Sequence, residues 1–240
     1  MTNFSYITAV ILAGGLGTRL RPAVSDRPKV LAEVHGKYFL TFLLDYLIKA
    51  GFEDAVLCTG YRGEQIQTAC GNGYGPLRLV YSHETSPLGT AGAIRLALPF
   101  FKSDTVLVMN GDSVCYADMA AFGTLHEERK AEASLLLTRV NDVQRFGQVV
   151  ADNEGHILRF EEKNNHSGPG WINAGIYLIK KKLIEEIPQS IPVSLEKEVF
   201  PFWIGRQFYG FRTEGRFIDI GTPESYSEAE HFFQQKVNEL

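Results

Sequence analysis

The chain has 240 residues, 45% hydrophobic, 12% aromatic and 22% charged, a balance that excludes a disordered segment, a collagen and a coiled coil. Twenty-eight acidic against 24 basic residues give a formal charge of −4, which argues against general binding to nucleic acid or to an anionic membrane surface, so any anionic substrate has to be held by local charge. A chain of this length buries roughly 70 to 75% of its unfolded surface and supports a deep cleft without covalent staples.

From Thr8 the run Ala-Val-Ile-Leu, stopped by Gly14-Gly15, predicts a central parallel strand buried on both faces. Residues 39–50 carry apolar side chains at helical spacing and end at Gly51, and 55–59 is another apolar run. A short helix over 63–70, a strand over 77–81, a helix over 90–101 and a strand over 105–109 leading into Asn110-Gly111-Asp112 continue the alternation. A helix over 117–130 and a strand over 132–140 follow, and then the rhythm changes. Residues 147–151 and 156–160 flank Asp152-Asn153-Glu154-Gly155 and predict a hairpin. A strand over 172–179 runs into a helix over 180–187, a helix covers 195–204, and strands cover 207–213 and 216–220. Thr222-Pro223-Glu224 opens the last helix with a cap residue, a proline at the first position and an acid in the first turn. Residues 164–170 read as a loop, but no linker or internal repeat divides the chain, which is expected to form one continuous mixed-sheet α/β domain.

Cys58, Cys70 and Cys115 are odd in number and too widely spaced for a CxxC pair, which predicts free thiols in a reducing cytosol. The six histidines form no HExxH or HxH pattern, arguing against a histidine-rich metal site. No apolar run reaches the ~18 residues that a membrane span requires, so a soluble cytoplasmic protein without membrane partner is expected.

The most informative segment is Leu12-Ala13-Gly14-Gly15-Leu16-Gly17-Thr18-Arg19-Leu20-Arg21-Pro22, with Arg27-Pro28-Lys29 close behind. A dinucleotide fingerprint from Gly15 needs a third glycine where Leu20 stands, and a Walker loop from Gly14 needs Gly-Lys-Ser/Thr where Arg19-Leu20-Arg21 stands, so both fail. What remains is a glycine-rich turn with four cations, Arg19, Arg21, Arg27 and Lys29, against the single Asp26. Glycines let backbone N–H groups approach phosphate oxygens, and the cations neutralise their charge, which suits a triphosphate.

Leu-Ala-Gly-Gly-x-Gly-Thr-Arg-Leu-x-Pro followed by Pro-Lys resembles the signature of the sugar-1-phosphate nucleotidyltransferases. The likeness runs through the whole chain. It implies a single Rossmann-like mixed-sheet α/β domain (GT-A-like) without a C-terminal β-helix, spanning 1–240 with a nucleotide-binding half of about 1–115 and a sugar-phosphate-binding half of about 116–240. It also implies Mg²⁺ as cofactor, with a nucleoside triphosphate and a sugar 1-phosphate as substrates. Carried over, Leu12, Ala13, Gly14 and Gly15 would lie against the nucleoside, Gly17, Thr18 and Arg19 would hold the triphosphate, and Lys29 would reach a phosphate oxygen. The segment Glu84 to Ala93 resembles the family's base-pocket element, giving Glu84, Gly89 and Thr90 as nucleotide contacts. Gly111 and Asp112 follow a buried strand, and Phe217-Ile218-Asp219-Ile220-Gly221-Thr222-Pro223 resembles the segment that supplies a second carboxylate, so Asp112 and Asp219 would be the metal pair. On the sugar side Lys163 would bind the phosphate, and Glu162, Asn173 and the backbone at Gly147 and Gly175 would bind sugar hydroxyls. Arg19, Lys29, Asp112, Lys163 and Asp219 are thus the expected catalytic set.

Within the family, Glu84 to Ala93, Phe208 to Phe211 and Phe217 to Pro223 look most like the D-glycero-D-manno-heptose 1-phosphate guanylyltransferases, which make GDP-heptose for surface polysaccharide. This leads to GTP and a manno-configured heptose 1-phosphate as the expected pair, with Glu84 or carbonyls near Leu88 as acceptors for guanine. The alternatives are uridylyl or thymidylyl transfer to another sugar 1-phosphate, or a non-catalytic nucleotide-sugar sensor. A homo-oligomer is compatible with the sequence, which does not fix the oligomeric state. One departure stands out: His35-Gly36-Lys37-Tyr38 has tyrosine where relatives usually place proline after Gly-Lys.

Overall fold

The computed structural model describes residues 4–161 and 167–234. Its strands, in chain order, are β1 (Thr8–Leu12), β2 (Glu33–Val34), β3 (Lys37–Tyr38), β4 (Asp54–Thr59), β5 (Gly73–Tyr74), β6 (Leu77–His83), β7 (Thr105–Asn110), β8 (Ser113–Cys115), β9 (Ala133–Val140), β10 (Gln148–Ala151), β11 (Ile157–Glu161), β12 (Gly170–Lys180), β13 (Phe208–Thr213) and β14 (Phe217–Asp219). The helices are α1 (Phe39–Ala50), α2 (Gly63–Cys70), α3 (Gly89–Ala97), α4 (Met119–Glu128), α5 (Lys181–Glu185), α6 (Phe200–Trp203) and α7 (Pro223–Gln234).

Eight strands form the main sheet in the order β13-β9-β12-β7-β1-β4-β6-β5. The pairs β1–β4, β1–β7, β4–β6 and β13–β9 are parallel, whereas β12 lies antiparallel between β7 and β9. Both faces are covered, which explains why β1 is an unbroken apolar run: Ala9 and Ile11 enter a core with α1 and α7, and Val10 enters a second core with α3 and α5. The same alternation sends Leu107 and Met109 of β7 to the first core and Val106 and Val108 to the second, as a sheet with helices on both sides requires. The expected α/β mixed-sheet domain is therefore the observed one, and no β-helix occurs among the described residues. No helix among them is long and apolar enough to cross a membrane.

Helix ends follow local chemistry. Gly51, at φ 89°, closes α1 by donating its N–H to the Ile48 and Leu47 carbonyls, a left-handed cap that glycine adopts at least cost. The helix expected over 90–101 stops at Ala97, and 98–100 tighten into a 3₁₀ turn around Pro99. The helix expected over 117–130 is trimmed to Met119–Glu128, with Asp118 Oδ1 accepting the Ala121 N–H at 2.9 Å. The helix expected over 195–204 is instead a π-helical turn, Leu195–Val199, followed by α6. At the departure noted above, His35 (φ 52°) and Gly36 (φ 69°) form the two-residue turn of the β2–β3 hairpin, a turn that needs left-handed backbone at both positions.

Candidate active site

From β1 the chain moves to β4 and β6 on one side, then returns to β7 on the other. The carboxyl ends of β1 and β7 thus flank a topological switch point, where open α/β sheets form their binding crevice. The loop after Leu12 and the turn at Asn110-Gly111-Asp112 both open there. Gly111 lies flush against β1: its N–H donates to the Leu12 carbonyl at 3.0 Å, and a Cβ would sit 2.4 Å from that oxygen. Gly15 differs, because it has no positive φ and a Cβ there would meet nothing within 4 Å. Nothing among the described residues demands a glycine at that position, which lines the crevice.

A cavity of about 370 Å³ occupies this crevice, and its walls include Leu12, Ala13, Gly14, Gly15, Gly17, Thr18, Arg19, Lys29, Glu84, Gly89, Thr90 and Gly111. Every residue expected to touch nucleotide is therefore at one place. The basic cluster, in contrast, divides. Arg19 and Lys29 reach the cavity, while Arg21 stacks over the Tyr61 ring at 5.3 Å and Arg27 pairs with Asp26 and Glu33. Glu84 is packed so closely that a Cβ on Gly14 or Gly60 would lie 2.9 or 2.7 Å from its Oε1. Burial pushes the Glu84 carboxyl above its ordinary value, against the opposing effects of the Leu88 N–H, which Oε2 accepts at 3.0 Å, and of His83. The Leu88 carbonyl accepts the Val193 N–H at 2.8 Å.

A second cavity, about 600 Å³, adjoins the first and is lined by Gly147, Asn173 and Gly175 as expected. Glu162 and Lys163 lie outside the described residues. Arg145, Ser194, Glu196 and Lys197 also line it, and sequence reading missed all four. A bulge in β12 aims this wall: pairing with β9 breaks between Asn173 and Tyr177, and Gly175 there has φ 76°. A Cβ on Gly175 would lie 2.7 Å from Asn110 Nδ2. The two cavities share Arg19, Asn110, Asp112 and Gly221.

Asp112 and Asp219, far apart in sequence, meet because β14 pairs antiparallel with β8. Asp219 stands opposite Ser113, and the Ile220 N–H donates to the Asp112 carbonyl at 2.8 Å. Lys29 Nζ reaches Asp112 Oδ2 at 2.6 Å. Asp219 accepts from the Gly221 N–H at 3.0 Å and faces Arg145 Nη2 at 3.3 Å. No cluster of three or more His, Cys, Asp or Glu side chains suited to a metal occurs among the described residues. An all-oxygen pair still fits a hard cation that takes one or two carboxylates and completes its shell with water and phosphate oxygens. Asn110 Oδ1, two residues before Asp112, is buried and has no hydrogen-bond partner among the described residues.

A family profile described as nucleotidyl transferase matches residues 8–236. The chain belongs to the nucleotidyl transferase family. It is 36% identical over 95% of its length to D-glycero-alpha-D-manno-heptose 1-phosphate guanylyltransferase of Aneurinibacillus thermoaerophilus, covering 99% of that protein. It is 37% identical to mannose-1-phosphate guanylyltransferase of Mycobacterium tuberculosis, spanning 62% of that longer chain. Among solved structures, HddC from Yersinia pseudotuberculosis superposes with a TM-score of 0.84 at 34% identity, covering 95% of this chain and 99% of that one, and has also been crystallised with GMP-PN. The family's expected fold and its class of reaction, nucleotidyl transfer, therefore hold for this chain.

Proposed function

We propose that the protein transfers GMP from GTP to D-glycero-α-D-manno-heptose 1-phosphate, releasing pyrophosphate and forming GDP-heptose. The carrying observation is that a cavity walled by the glycine-rich loop and one walled by the β10–β11 hairpin and β12 meet at Arg19, Asn110, Asp112 and Gly221. Displacement at phosphorus needs such a junction, because the reacting atoms must be held within roughly 3 to 3.5 Å of one another. Similarity across nearly the full length of heptose 1-phosphate relatives supports the sugar. Guanylyltransferases of both sugar classes support the base. Mannose 1-phosphate is the second reading, favoured by the 37% identity to the mycobacterial enzyme.

In this reading Glu84 accepts the N1–H and 2-amino hydrogens of guanine, using lone pairs beyond the one given to Leu88. The backbone of Gly14, Gly15 and Gly17, with Thr18, Arg19 and Lys29, holds the triphosphate, with Gly111 in the wall beside it. Glu162, Asn173 and the backbone at Gly147 and Gly175 bind sugar hydroxyls, and Lys163 binds the sugar phosphate. The halves of about 1–115 and 116–240 then contribute one cavity each. A phosphate monoester is already an anionic nucleophile near neutral pH, with a second pKa of about 6. Its oxygen attacks the α-phosphorus in line and pyrophosphate leaves, with positioning and charge neutralisation as the main contributions of the protein. Asp112 and Asp219 would hold a Mg²⁺ ion, which when bound neutralises charge on the phosphate oxygens. We place this reaction in the cytoplasm, where the free thiols Cys58, Cys70 and Cys115 are stable.

The test is pyrophosphate release from GTP with and without the heptose 1-phosphate, together with mass analysis of the product. Sugar-dependent release and a GDP-heptose mass are expected; release that ignores the sugar phosphate would contradict the assignment.

A further inference from the structure

The segment 193–197 lines the second cavity with Ser194, Glu196 and Lys197 and is hydrogen-bonded to the start of α3, whose Gly89 and Thr90 line the first. The Val193 N–H donates to the Leu88 carbonyl at 2.8 Å, and the Val193 carbonyl accepts from Ala91 N at 2.9 Å and Gly92 N at 3.4 Å. This segment therefore caps α3, whose own Leu88 offers no side-chain cap. Gly89 makes the approach feasible: its φ is 71°, and a Cβ would lie 2.5 Å from the Val193 oxygen.

From there a run of hydrogen bonds crosses from one cavity wall to the other. The Thr90 hydroxyl accepts the Leu195 N–H at 2.8 Å and donates to Glu196 Oε2 at 3.1 Å, an oxygen that Ser194 Oγ also reaches at 3.1 Å. Glu196 Oε1 accepts from the fully buried Tyr177 hydroxyl at 3.5 Å, and that hydroxyl accepts from Asn173 Nδ2 at 2.8 Å. Asn173 Oδ1 accepts the Gly175 N–H at 2.8 Å. Thr90 lines the first cavity, whereas Glu196, Asn173 and Gly175 line the second. The π-helical turn Leu195–Val199 carries the carboxylate, and such turns are rare and concentrate at functional sites.

We propose that Glu196 is a positioning residue for the sugar phosphate: it orients Asn173 through Tyr177 and ties that wall to the nucleotide wall at Thr90. The proposal rests on the assignment of the two cavities given above. Asn173 has two N–H groups and an oxygen with two lone pairs; one N–H and one lone pair are committed to Tyr177 and Gly175. One donor and one acceptor are left for the ligand, and their direction depends on the two committed bonds. The Glu196 carboxylate makes the bonds it accepts from Thr90 and Ser194, both at 3.1 Å, charge-assisted, while the Tyr177 hydroxyl stands at the longer 3.5 Å.

A cycle of variants in steady-state kinetics tests this, with GTP and heptose 1-phosphate varied separately. Thr90→Val and Glu196→Gln should each raise the KM for the sugar phosphate by about 5-fold or more, and the double variant should do little worse than the stronger single one. Thr90→Ser, which keeps the hydroxyl, should restore the sugar-phosphate KM. Tyr177→Phe removes one oxygen atom and should raise that KM alike while moving the GTP KM less than about 2-fold, so the outcome does not depend on Glu196→Gln folding well. Wild-type protein that makes no nucleotide sugar would overturn the cavity assignment. An active wild type whose sugar-phosphate KM is unmoved by Tyr177→Phe and Thr90→Val, or moved additively in the double variant, would overturn the positioning role alone.

Discussion

Each carboxylate of the Asp112 and Asp219 pair is held by a cation and by the strand pairing that brings them together, with Lys29 on one and Arg145 on the other. Replacing either aspartate by alanine removes a carboxylate from the place where phosphate charge must be neutralised. Turnover should fall by roughly 10²-fold or more at saturating Mg²⁺. Pyrophosphate release is the measurement, and undiminished turnover of Asp112→Ala would remove the metal assignment. The two cations proposed to bind phosphate, Arg19 and Lys163, should separate kinetically. Arg19→Ala is expected to damage mainly the use of GTP, whereas Lys163→Ala should raise the KM for the sugar phosphate, any further loss in kcat reporting transition-state positioning. If both sugar-phosphate constants survived Lys163→Ala, its role would be elsewhere.

The elements that place these residues differ in how plainly the sequence announces them. β1, α1 and α2 are legible because their apolar spacing is local and glycine punctuates their ends, as at Gly51. The β8–β14 pairing is not. Each strand has three residues, too short for a periodic signal, and their partnership spans about half the chain, so only the family resemblance joined Asp112 to Asp219. Arg145 and Glu196 escape sequence reading for a related reason: a charged residue in a short polar stretch reads as solvated surface, and only the tertiary structure shows that both line the second cavity. The π-helical turn at Leu195–Val199 reads as ordinary helix in the sequence, since its distinction lies in backbone bonds spanning five residues, from Val199 N–H to the Ser194 carbonyl and from Phe200 N–H to the Leu195 carbonyl. At Gly175 the bulge of β12 makes a sharper prediction. Alanine there meets Asn110 Nδ2 at 2.7 Å with a left-handed φ, so Gly175→Ala should cost roughly 1 to 3 kcal/mol in urea unfolding and lower kcat; a fully stable, fully active variant would contradict this account of the wall. Where α4 packs on β9, His126 is buried against Ser134 Oγ at 2.8 Å. Burial, with Lys180 nearby, pushes its pKa down from 6.5 to about 4. The folded state thus keeps the ring neutral, and its contribution to stability is complete above about pH 6.5. As pH falls toward 4 the unfolded chain takes up a proton that the folded chain refuses, so stability declines across that window. His126→Gln should flatten the decline relative to wild type, as followed by denaturant unfolding at pH 7.5 and pH 4.5.

At the scale of the molecule, the parallel core β7-β1-β4-β6 opens the first cavity, proposed above for the nucleotide, at its switch point, and the antiparallel β12 with the hairpin walls the second, proposed for the sugar phosphate. The proposed reaction requires no covalent intermediate on a side chain. The chemistry is that of two anionic substrates brought together and neutralised, and the specificity is that of the cavities. Guanine presents an N1–H and a 2-amino donor, and a site that pairs them leaves buried acceptors unpaired when another base binds, at about 1 to 3 kcal/mol for each such group. The decisive measurement is therefore a competition of GTP against ATP, UTP, CTP and dTTP with D-glycero-α-D-manno-heptose 1-phosphate as acceptor, read as the ratio of kcat/KM values. A preference for GTP of about 10²-fold or more over each competitor is expected. A clear preference for UTP, CTP or dTTP would leave nucleotidyl transfer standing and contradict the guanylyl transfer to heptose 1-phosphate proposed for this protein.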